Sequence, residues 1–175
     1  MGGSEFPRSP AMANRPRLAG VTFRKARMDD LEALLDGGAE CFKDGHPTLV
    51  YGYEREKTAK FMSLVMDRFE AINLVAEKDG QIIGAIFGVL LPDFFSSHLL
   101  GKECFFAILP AHRSLVLASE MVRHFTKACL QCGATAVEFA PSTDPKWLRY
   151  RKFLARMGFE EQHVAMRFKP ARETN

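Results

Sequence analysis

The sequence lacks the features that mark several large classes of protein. Its formal net charge is only +3, which does not by itself indicate a nucleic-acid or membrane partner. The longest apolar run, residues 82–91, is too short to span a bilayer and contains two glycines. We see no secretory signal, so we expect a cytoplasmic protein without a membrane partner.

Cysteine is scarce, and its placement does not suggest a disulfide framework. All four cysteines lie in apolar periodic segments rather than in loops, which predicts reduced, buried thiols: Cys41, Cys104, Cys129 and Cys132. The last two form a Cys-x-x-Cys pair late in a predicted helix, away from the helix N-terminus that stabilises thiolates. No second Cys/His pair with ligand spacing accompanies them, so we predict no metal site.

Three common catalytic motifs are also absent from the sequence. It contains no P-loop, no dinucleotide-binding fingerprint and no Gly-x-Ser-x-Gly elbow.

The 175 residues are 47% hydrophobic, enough for one domain with a sizeable core, which we place at residues 21–170. We expect residues 1–11 to be an expression tag, residues 12–20 a flexible segment and residues 171–175 a tail.

Hydrophobic periodicity predicts an element order of β-α-α-β-β-β-α-β-α-β. The strongest local signal is Asp79-Gly80 between two apolar runs, which is typical of a tight hairpin. The predicted strands are residues 21–27, 72–78, 81–91, 104–109, 136–140 and 164–168. The predicted helices begin near residues 31, 54, 115 and 147. Residues 92–102 are predicted to be a loop that exposes Phe94 and Phe95.

The chain is organised around a strand, a basic turn and a helix. The apolar run Cys104–Leu109 is closed by Pro110, which cannot donate to a sheet ladder. Ser114 is suited to cap the helix that follows, and a stripe of apolar side chains then recurs at helical spacing. Amides at the start of such a helix point outward and attract anions.

This arrangement resembles the acetyl-CoA loop of the GNAT superfamily of N-acetyltransferases, which reads Arg/Gln-x-x-Gly-x-Gly/Ala. Here Arg113-Ser-Leu-Val-Leu-Ala118 supplies the arginine and the final small residue, but Val116 replaces a glycine. A branched side chain there restricts the close approach of a phosphate to the backbone. The late family motif ends in Gly-Phe, present as Gly158-Phe159, but Leu154 replaces its tyrosine.

Other parts of the chain carry the same resemblance. The family's central hairpin is similar to Val75-Ala-Glu-Lys-Asp-Gly-Gln-Ile-Ile-Gly84, and its first strand and helix are similar to Arg24-Lys-Ala26 and Asp30-Leu31. The resemblance implies an α/β fold, with a mixed, mainly antiparallel sheet splayed after the fourth strand and helices on both faces. It covers residues 21–168.

The resemblance also implies a function, the transfer of acetyl from acetyl-CoA as co-substrate to an amine of a protein or a small molecule. Strand backbone at Ile108 and Leu109 would hold the pantetheine. The pyrophosphate would lie against Arg113, Ser114, Leu115, Val116, Leu117 and Ala118. The family often uses a glutamate of the fourth strand as base, which favours Glu103 over Glu138. Tyr150, one turn before Leu154, is the candidate acid.

Two other functions remain open. The replacements at Val116 and Leu154 fit a degenerate GNAT scaffold that binds a protein partner, and Phe94 and Phe95 could supply its contact surface or a homodimer seam. The predicted last helix is basic and carries Trp147 and Tyr150, which would suit an RNA-binding module. An ordinary solvated helix face explains those cations better, so nucleic acid is not expected.

Overall fold

The structure, a computed structural model, describes residues 18–45, 52–68, 70–140 and 147–161. The chain divides into two compact units, residues 1–140 and residues 141–175. Among the residues described, the first unit contains a five-stranded sheet and three α-helices. No helix in these described ranges is long and apolar enough to cross a membrane.

Strands and helices largely follow the predicted order. The strands are β1 Val21–Lys25, β2 Ala71–Lys78, β3 Gln81–Pro92, β4 Leu99–Ile108 and β5 Ala136–Glu138. The helices are α1 Leu31–Gly45, α2 Arg55–Met66, α3 Leu115–Gln131 and α4 Trp147–Arg156. The predicted strand at residues 164–168 lies outside the described residues.

The sheet has the order β1-β2-β3-β4-β5 and is mixed, as expected. The pairs β1–β2, β2–β3 and β3–β4 are antiparallel, and β5 runs parallel to β4. Asp79 and Gly80 both have positive φ, 51° and 78°, which matches the twist of a tight β2–β3 hairpin.

Two apolar layers cover the two faces of this sheet. On one face α3 packs over β2 and β3 through fully buried side chains that include Met121, Phe125 and Ile86. On the other face α1 and α2 bury Leu35 and Val65. The expectation of helices on both faces is thus confirmed.

Contact between α3 and the sheet is closest at a glycine. A Cβ placed at Gly88 would overlap the ring of Phe125 and lie 2.5 Å from the carbonyl oxygen of Lys102. Every other residue type would therefore push α3 away from β3 and β4.

The predicted loop at residues 92–102 is wrong in its second half. The connection is only residues 93–98, because β4 already begins at Leu99 and pairs Leu99 with Pro92 and Leu100 with Leu91. The ladder to β3 extends the strand through Gly101 and Lys102, two residues that favour a loop when only local sequence is considered.

The prediction that all four thiols are buried is also wrong. Cys41 and Cys129 are buried, but Cys104 and Cys132 are exposed. Cys104 is the extra residue of a bulge in β4, and Cys132 caps the end of α3, so neither follows the burial pattern of its element. No group of three or more potential metal ligands occurs in the part of the chain that the structure describes.

In the second unit, α4 ends where the sequence predicts. Gly158 has a φ of 91°, and the amide of Phe159 donates to the carbonyl of Leu154 at 3.1 Å. A glycine in the left-handed region is a common helix terminator. Tyr150 is half-buried and stacks on Phe153, with ring centroids 6.1 Å apart.

Candidate active site

The sheet opens between β4 and β5. The two strands pair only from Leu100 to Lys102 on β4, and β4 then continues to Ile108. From Glu103 onward, this edge of β4 has no strand partner among the described residues. A strand edge that is not occupied by a neighbouring strand can bind an extended, amide-containing molecule through its backbone.

A bulge in β4 sets the direction of the side chains at this opening. The register with β3 pairs Glu103 with Gly88 and Phe105 with Phe87, which leaves Cys104 as an extra residue. Directly paired residues share a sheet face, so Glu103 lies on the face covered by α3. Phe105 lies on the opposite face, where its ring contacts that of Phe87 with centroids 6.3 Å apart.

The carboxyl group of Glu103 sits at the start of the opening. Its burial raises the pKa from 4.5 to about 7, although a hydrogen bond from the backbone of Ala140 lowers the pKa in part. The group therefore exchanges its proton near neutral pH, which is the requirement for a general base or acid. Glu138, the second candidate, forms an ion pair with Lys102, Oε2 to Nζ 3.1 Å.

Beyond the end of β4, the start of α3 presents backbone amides. Ser114 is the N-cap, as predicted, and its Oγ accepts from the amide of Leu117 at 3.1 Å. The amide of Ala118 donates to the Ser114 carbonyl at 3.0 Å. Helix geometry provides no intrahelical acceptor for the amides of Leu115 and Val116, so they are available to an anion.

The predicted anion loop is tied to the end of β4. Arg113 is exposed, and its Nε donates to the carbonyl oxygen of Ile108 at 3.1 Å. The thiol of Cys41 on α1 donates to the same oxygen at 3.5 Å. The amide of Leu109 donates to the Ile83 carbonyl at 3.0 Å, so the chain leaves the sheet in a fixed direction.

The first turn of α3 also shows where the side chain of Val116, the residue that stands in place of the family's glycine, is located. Leu117 is buried and anchors the helix on the sheet, whereas Leu115 is exposed and Val116 and Ala118 are half-buried. The side chain of Val116 therefore stands beside the first-turn amides without filling the core.

A small apolar crevice of about 20 Å³ lies between α1 and the strands β3 and β4. Its walls include Gly37, Gly38 and Leu109. A Cβ at Gly37 would come within 3.2 Å of Leu109, and one at Gly38 within 3.2 Å of the Tyr53 hydroxyl. Sequence reasoning missed this crevice, although two adjacent glycines inside a predicted helix signal a close approach of this kind.

The structure brings most of the predicted site residues together in the first unit. Glu103 on β4, the strand end at Ile108 and Leu109, and residues 113–118 follow one another along the opening and the start of α3. Tyr150 belongs to the second unit, so its role as an acid stays a prediction.

A family model supplies the decisive comparison. The model of the acetyltransferase (GNAT) family matches residues 31–159, which is more than half of the chain. The chain belongs to the GNAT family. No curated protein sequence matches this GNAT domain.

Solved structures share the fold of this GNAT domain at low sequence identity. A transcriptional regulator from Bacillus halodurans C-125 is 17% identical, with a TM-score of 0.71, over 85% of this chain and 99% of the other. A predicted acetyltransferase with acetyl-CoA from Clostridium acetobutylicum is 15% identical, with a TM-score of 0.68, over 85% and 96%. An aminoglycoside acetyltransferase in complex with sisomicin, from an uncultured soil metagenomic sample, is 14% identical, with a TM-score of 0.66, over 87% and 97%.

Proposed function

We propose that this protein is an acetyl-CoA-dependent N-acetyltransferase that acetylates a primary amine. The observation that carries the proposal is the opening beside β4, which has a carboxyl group of pKa about 7 at one end and the amides of a helix N-terminus at the other. These two features supply a proton acceptor and an anion site along one strand edge.

The residues present fit acetyl-CoA, which would supply the activated acetyl group. The first-turn amides of Leu115 and Val116, with the exposed Arg113, would hold the pyrophosphate. The edge of β4 that continues beyond its pairing with β5, up to Ile108 and Leu109, would bind the pantetheine through its backbone. The likeness to a structure with acetyl-CoA supports this use of the fold.

Glu103 would accept the proton that an ammonium must lose before its nitrogen can attack a carbonyl. With its pKa raised to about 7, the group is still partly carboxylate near neutral pH and can also hold a proton once it has gained one. Tyr150 is the proposed acid that would protonate the departing thiolate. No charged side chain lines the apolar crevice, so the crevice does not identify the amine. A protein amine and a small-molecule amine both remain candidates.

Calorimetric titration of acetyl-CoA into the protein tests the proposal. We expect micromolar binding that is lost in Arg113→Glu and weakened in Ser114→Ala, because these changes repel the phosphates and disturb the helix cap. Lys127→Glu makes the same charge change farther along α3 and should bind normally. No binding by the wild type at millimolar acetyl-CoA would overturn the proposal.

Val116 favours a second candidate, a GNAT scaffold that has lost cofactor binding and acts by binding a protein. Val116→Gly distinguishes the two. If the scaffold is correct, the wild type does not bind acetyl-CoA and the glycine variant gains binding. If the enzyme hypothesis is correct, the wild type binds acetyl-CoA and Val116→Gly changes that affinity by less than about tenfold. A change in one contact alters the binding free energy by only roughly 1 kcal/mol.

A further inference from the structure

The carbonyl oxygen of Ile108 is directed toward the opening of the sheet. The amide of Leu109 donates to the Ile83 carbonyl of β3 at 3.0 Å, so this amide points toward β3. The peptide bond between Ile108 and Leu109 is trans, and a planar trans peptide places its C=O and its N–H on opposite sides. The Ile108 carbonyl therefore points away from β3, toward the edge of β4 along which we place the pantetheine.

Two side chains already bind this carbonyl oxygen. The Nε of Arg113 donates to it at 3.1 Å, and the thiol of Cys41 donates to it at 3.5 Å. A carbonyl oxygen has two lone pairs, so these two donors fill its capacity for hydrogen bonds. A pantetheine amide that pairs with Ile108 as a neighbouring strand would has to donate to the same oxygen. One of the two side chains must therefore leave when the pantetheine binds.

The two donors differ in how easily they can leave the oxygen. Cys41 is buried on α1 and lines the apolar crevice, so its thiol is held by the packing around it. Arg113 is exposed and directly precedes Ser114, the N-cap of the helix whose first-turn amides can bind an anion. A guanidinium binds phosphate through two parallel charge-assisted hydrogen bonds, whereas its Nε makes one bond to the neutral carbonyl. Arg113 is thus the donor that a pyrophosphate can draw away.

We propose that Arg113 determines which acyl donors the site accepts, because it holds the Ile108 carbonyl until a pyrophosphate binds its guanidinium. This inference rests on the proposed use of acetyl-CoA. A thioester that carries a pyrophosphate replaces the bond between Arg113 and Ile108 with stronger ones and opens the oxygen for its own pantetheine amide. A pantetheine thioester without a pyrophosphate must break the same bond with no replacement. The site therefore selects acetyl-CoA over shorter pantetheine thioesters by more than the phosphate contacts alone provide.

This role differs from that of a simple anion contact in a measurable way. If Arg113 only attracts phosphates, its removal weakens acetyl-CoA binding and leaves a phosphate-free thioester unaffected. If Arg113 also blocks the Ile108 carbonyl, its removal strengthens the binding of the phosphate-free thioester. The two ligands then change in opposite directions in one variant.

Equilibrium dialysis of the full chain with acetyl-labelled ligands compares acetyl-CoA with S-acetylpantetheine, which has no phosphate. In Arg113→Met we expect the Kd of acetyl-CoA to rise by about tenfold or more, because the charge is lost. The Kd of S-acetylpantetheine should fall by about 2–10-fold, the range that one hydrogen bond accounts for. Lys127→Met removes an exposed cation farther along α3 and should leave both values unchanged. Both replaced side chains are exposed, so both variants should melt at the temperature of the wild type.

Inorganic pyrophosphate tests the same coupling without any substitution at the oxygen. Pyrophosphate bound at the start of α3 should draw Arg113 away from Ile108 and open the carbonyl. We therefore expect millimolar pyrophosphate to lower the Kd of S-acetylpantetheine by the same factor of about 2–10 in the wild type. It should have no such effect in Arg113→Met, where the oxygen is already open.

The outcomes separate this inference from the function on which it rests. A wild type that binds acetyl-CoA, together with an Arg113→Met variant that binds S-acetylpantetheine no better, would overturn the role of Arg113 and leave the proposed function standing. Pyrophosphate that fails to strengthen S-acetylpantetheine binding in the wild type would also overturn that role. A wild type that binds neither thioester at millimolar concentration would overturn the proposed function, and this inference with it.

Discussion

At the scale of single residues, Glu103 links function to pH. If it is the general base, kcat/KM for acetyl transfer should rise with pH up to a pKa of about 7 and then level off, because only the carboxylate accepts a proton. Glu103→Gln should lower kcat by about 10²–10⁴-fold and remove this inflection. The measurement is a pH–rate profile at saturating acetyl-CoA.

Glu138→Gln is the control for this profile, since Glu138 is paired with Lys102, in the part of β4 that still pairs with β5. It should keep the inflection near pH 7. An unchanged profile in Glu103→Gln would show that another group, or solvent, removes the proton.

The same raised pKa has a cost in stability. Because the folded state raises the pKa of Glu103 from 4.5 to about 7, the wild type loses stability as the pH rises through this window. Glutamine has no charge to desolvate, so Glu103→Gln should be more stable than the wild type at pH 8, by about 1–2 kcal/mol after allowance for solvent screening. At pH 4 the difference should nearly vanish. Urea unfolding at the two pH values measures it, and a constant difference would contradict the assignment.

The roles of individual residues were predictable to different degrees. Ser114 and Asp79-Gly80 were predicted correctly, because a helix cap and a tight turn depend on neighbouring residues alone. The bulge at Cys104 was not, because it arises from the pairing of β4 with β3. The resemblance to the family therefore indicated Glu103 as a candidate, but the sequence did not determine which sheet face it occupies.

At the scale of elements, the close packing of α3 against the sheet depends on Gly88. Gly88→Ala should destabilise the protein by about 3 kcal/mol or more, since its Cβ would overlap Phe125 and meet the immobile carbonyl of Lys102. Gly37→Ala is the matched control. Its Cβ meets only the flexible end of Leu109, at 3.2 Å, while alanine favours the helix interior by about 1 kcal/mol.

Chemical denaturation of both variants measures this difference. The alanine at position 37 should be close to neutral, and the alanine at position 88 should lower the urea midpoint strongly. Equal effects of the two changes would mean that α3 adjusts its position easily.

The elements themselves were mostly predictable from periodicity, and the exception is informative. The start of β4 was missed because Leu99 and Leu100 are followed by Gly101 and Lys102, which do not favour a strand. The structure keeps them in the sheet because Gly101 lets the Cys129 side chain pack closely. A Cβ at Gly101 would lie only 2.8 Å from the Cys129 Sγ. Such a contact between distant segments is invisible in the local pattern.

At the scale of the whole molecule, Arg24 joins β1 to β2 and to the turn that starts α1. Its guanidinium donates to both carboxylate oxygens of Asp30, at 2.7 and 2.8 Å, and to Glu77 at 2.7 Å. Arg24→Met should cost about 3 kcal/mol at pH 7, because it leaves the buried Asp30 charge without its partner.

This cost should depend on pH in a defined direction. The Arg24 guanidinium, together with the amide of Arg27, lowers the pKa of Asp30 below its usual 3.8, so the stability it gives is present above that pH and is lost below it. The gap between wild type and Arg24→Met should therefore shrink in acid. Arg55→Met is the control, because Arg55 binds Glu32 and Asp36 at the exposed surface and should change stability little at either pH. Urea midpoints at pH 7 and in acid check both statements.

The early end of the pairing between β4 and β5 has a consequence for the colloidal behaviour of the protein. Beyond Lys102, β4 carries the apolar sequence Cys-Phe-Phe-Ala-Ile with no strand on its β5 side among the described residues, and at Ile108 the side chains of Arg113 and Cys41 already bind the carbonyl oxygen. Exposed apolar edges of this kind nucleate aggregation, and Glu103 is the charge at the start of the segment that opposes it. Any molecule that occupies the edge would also protect the protein from self-association, so solubility on storage should improve when such a ligand is present.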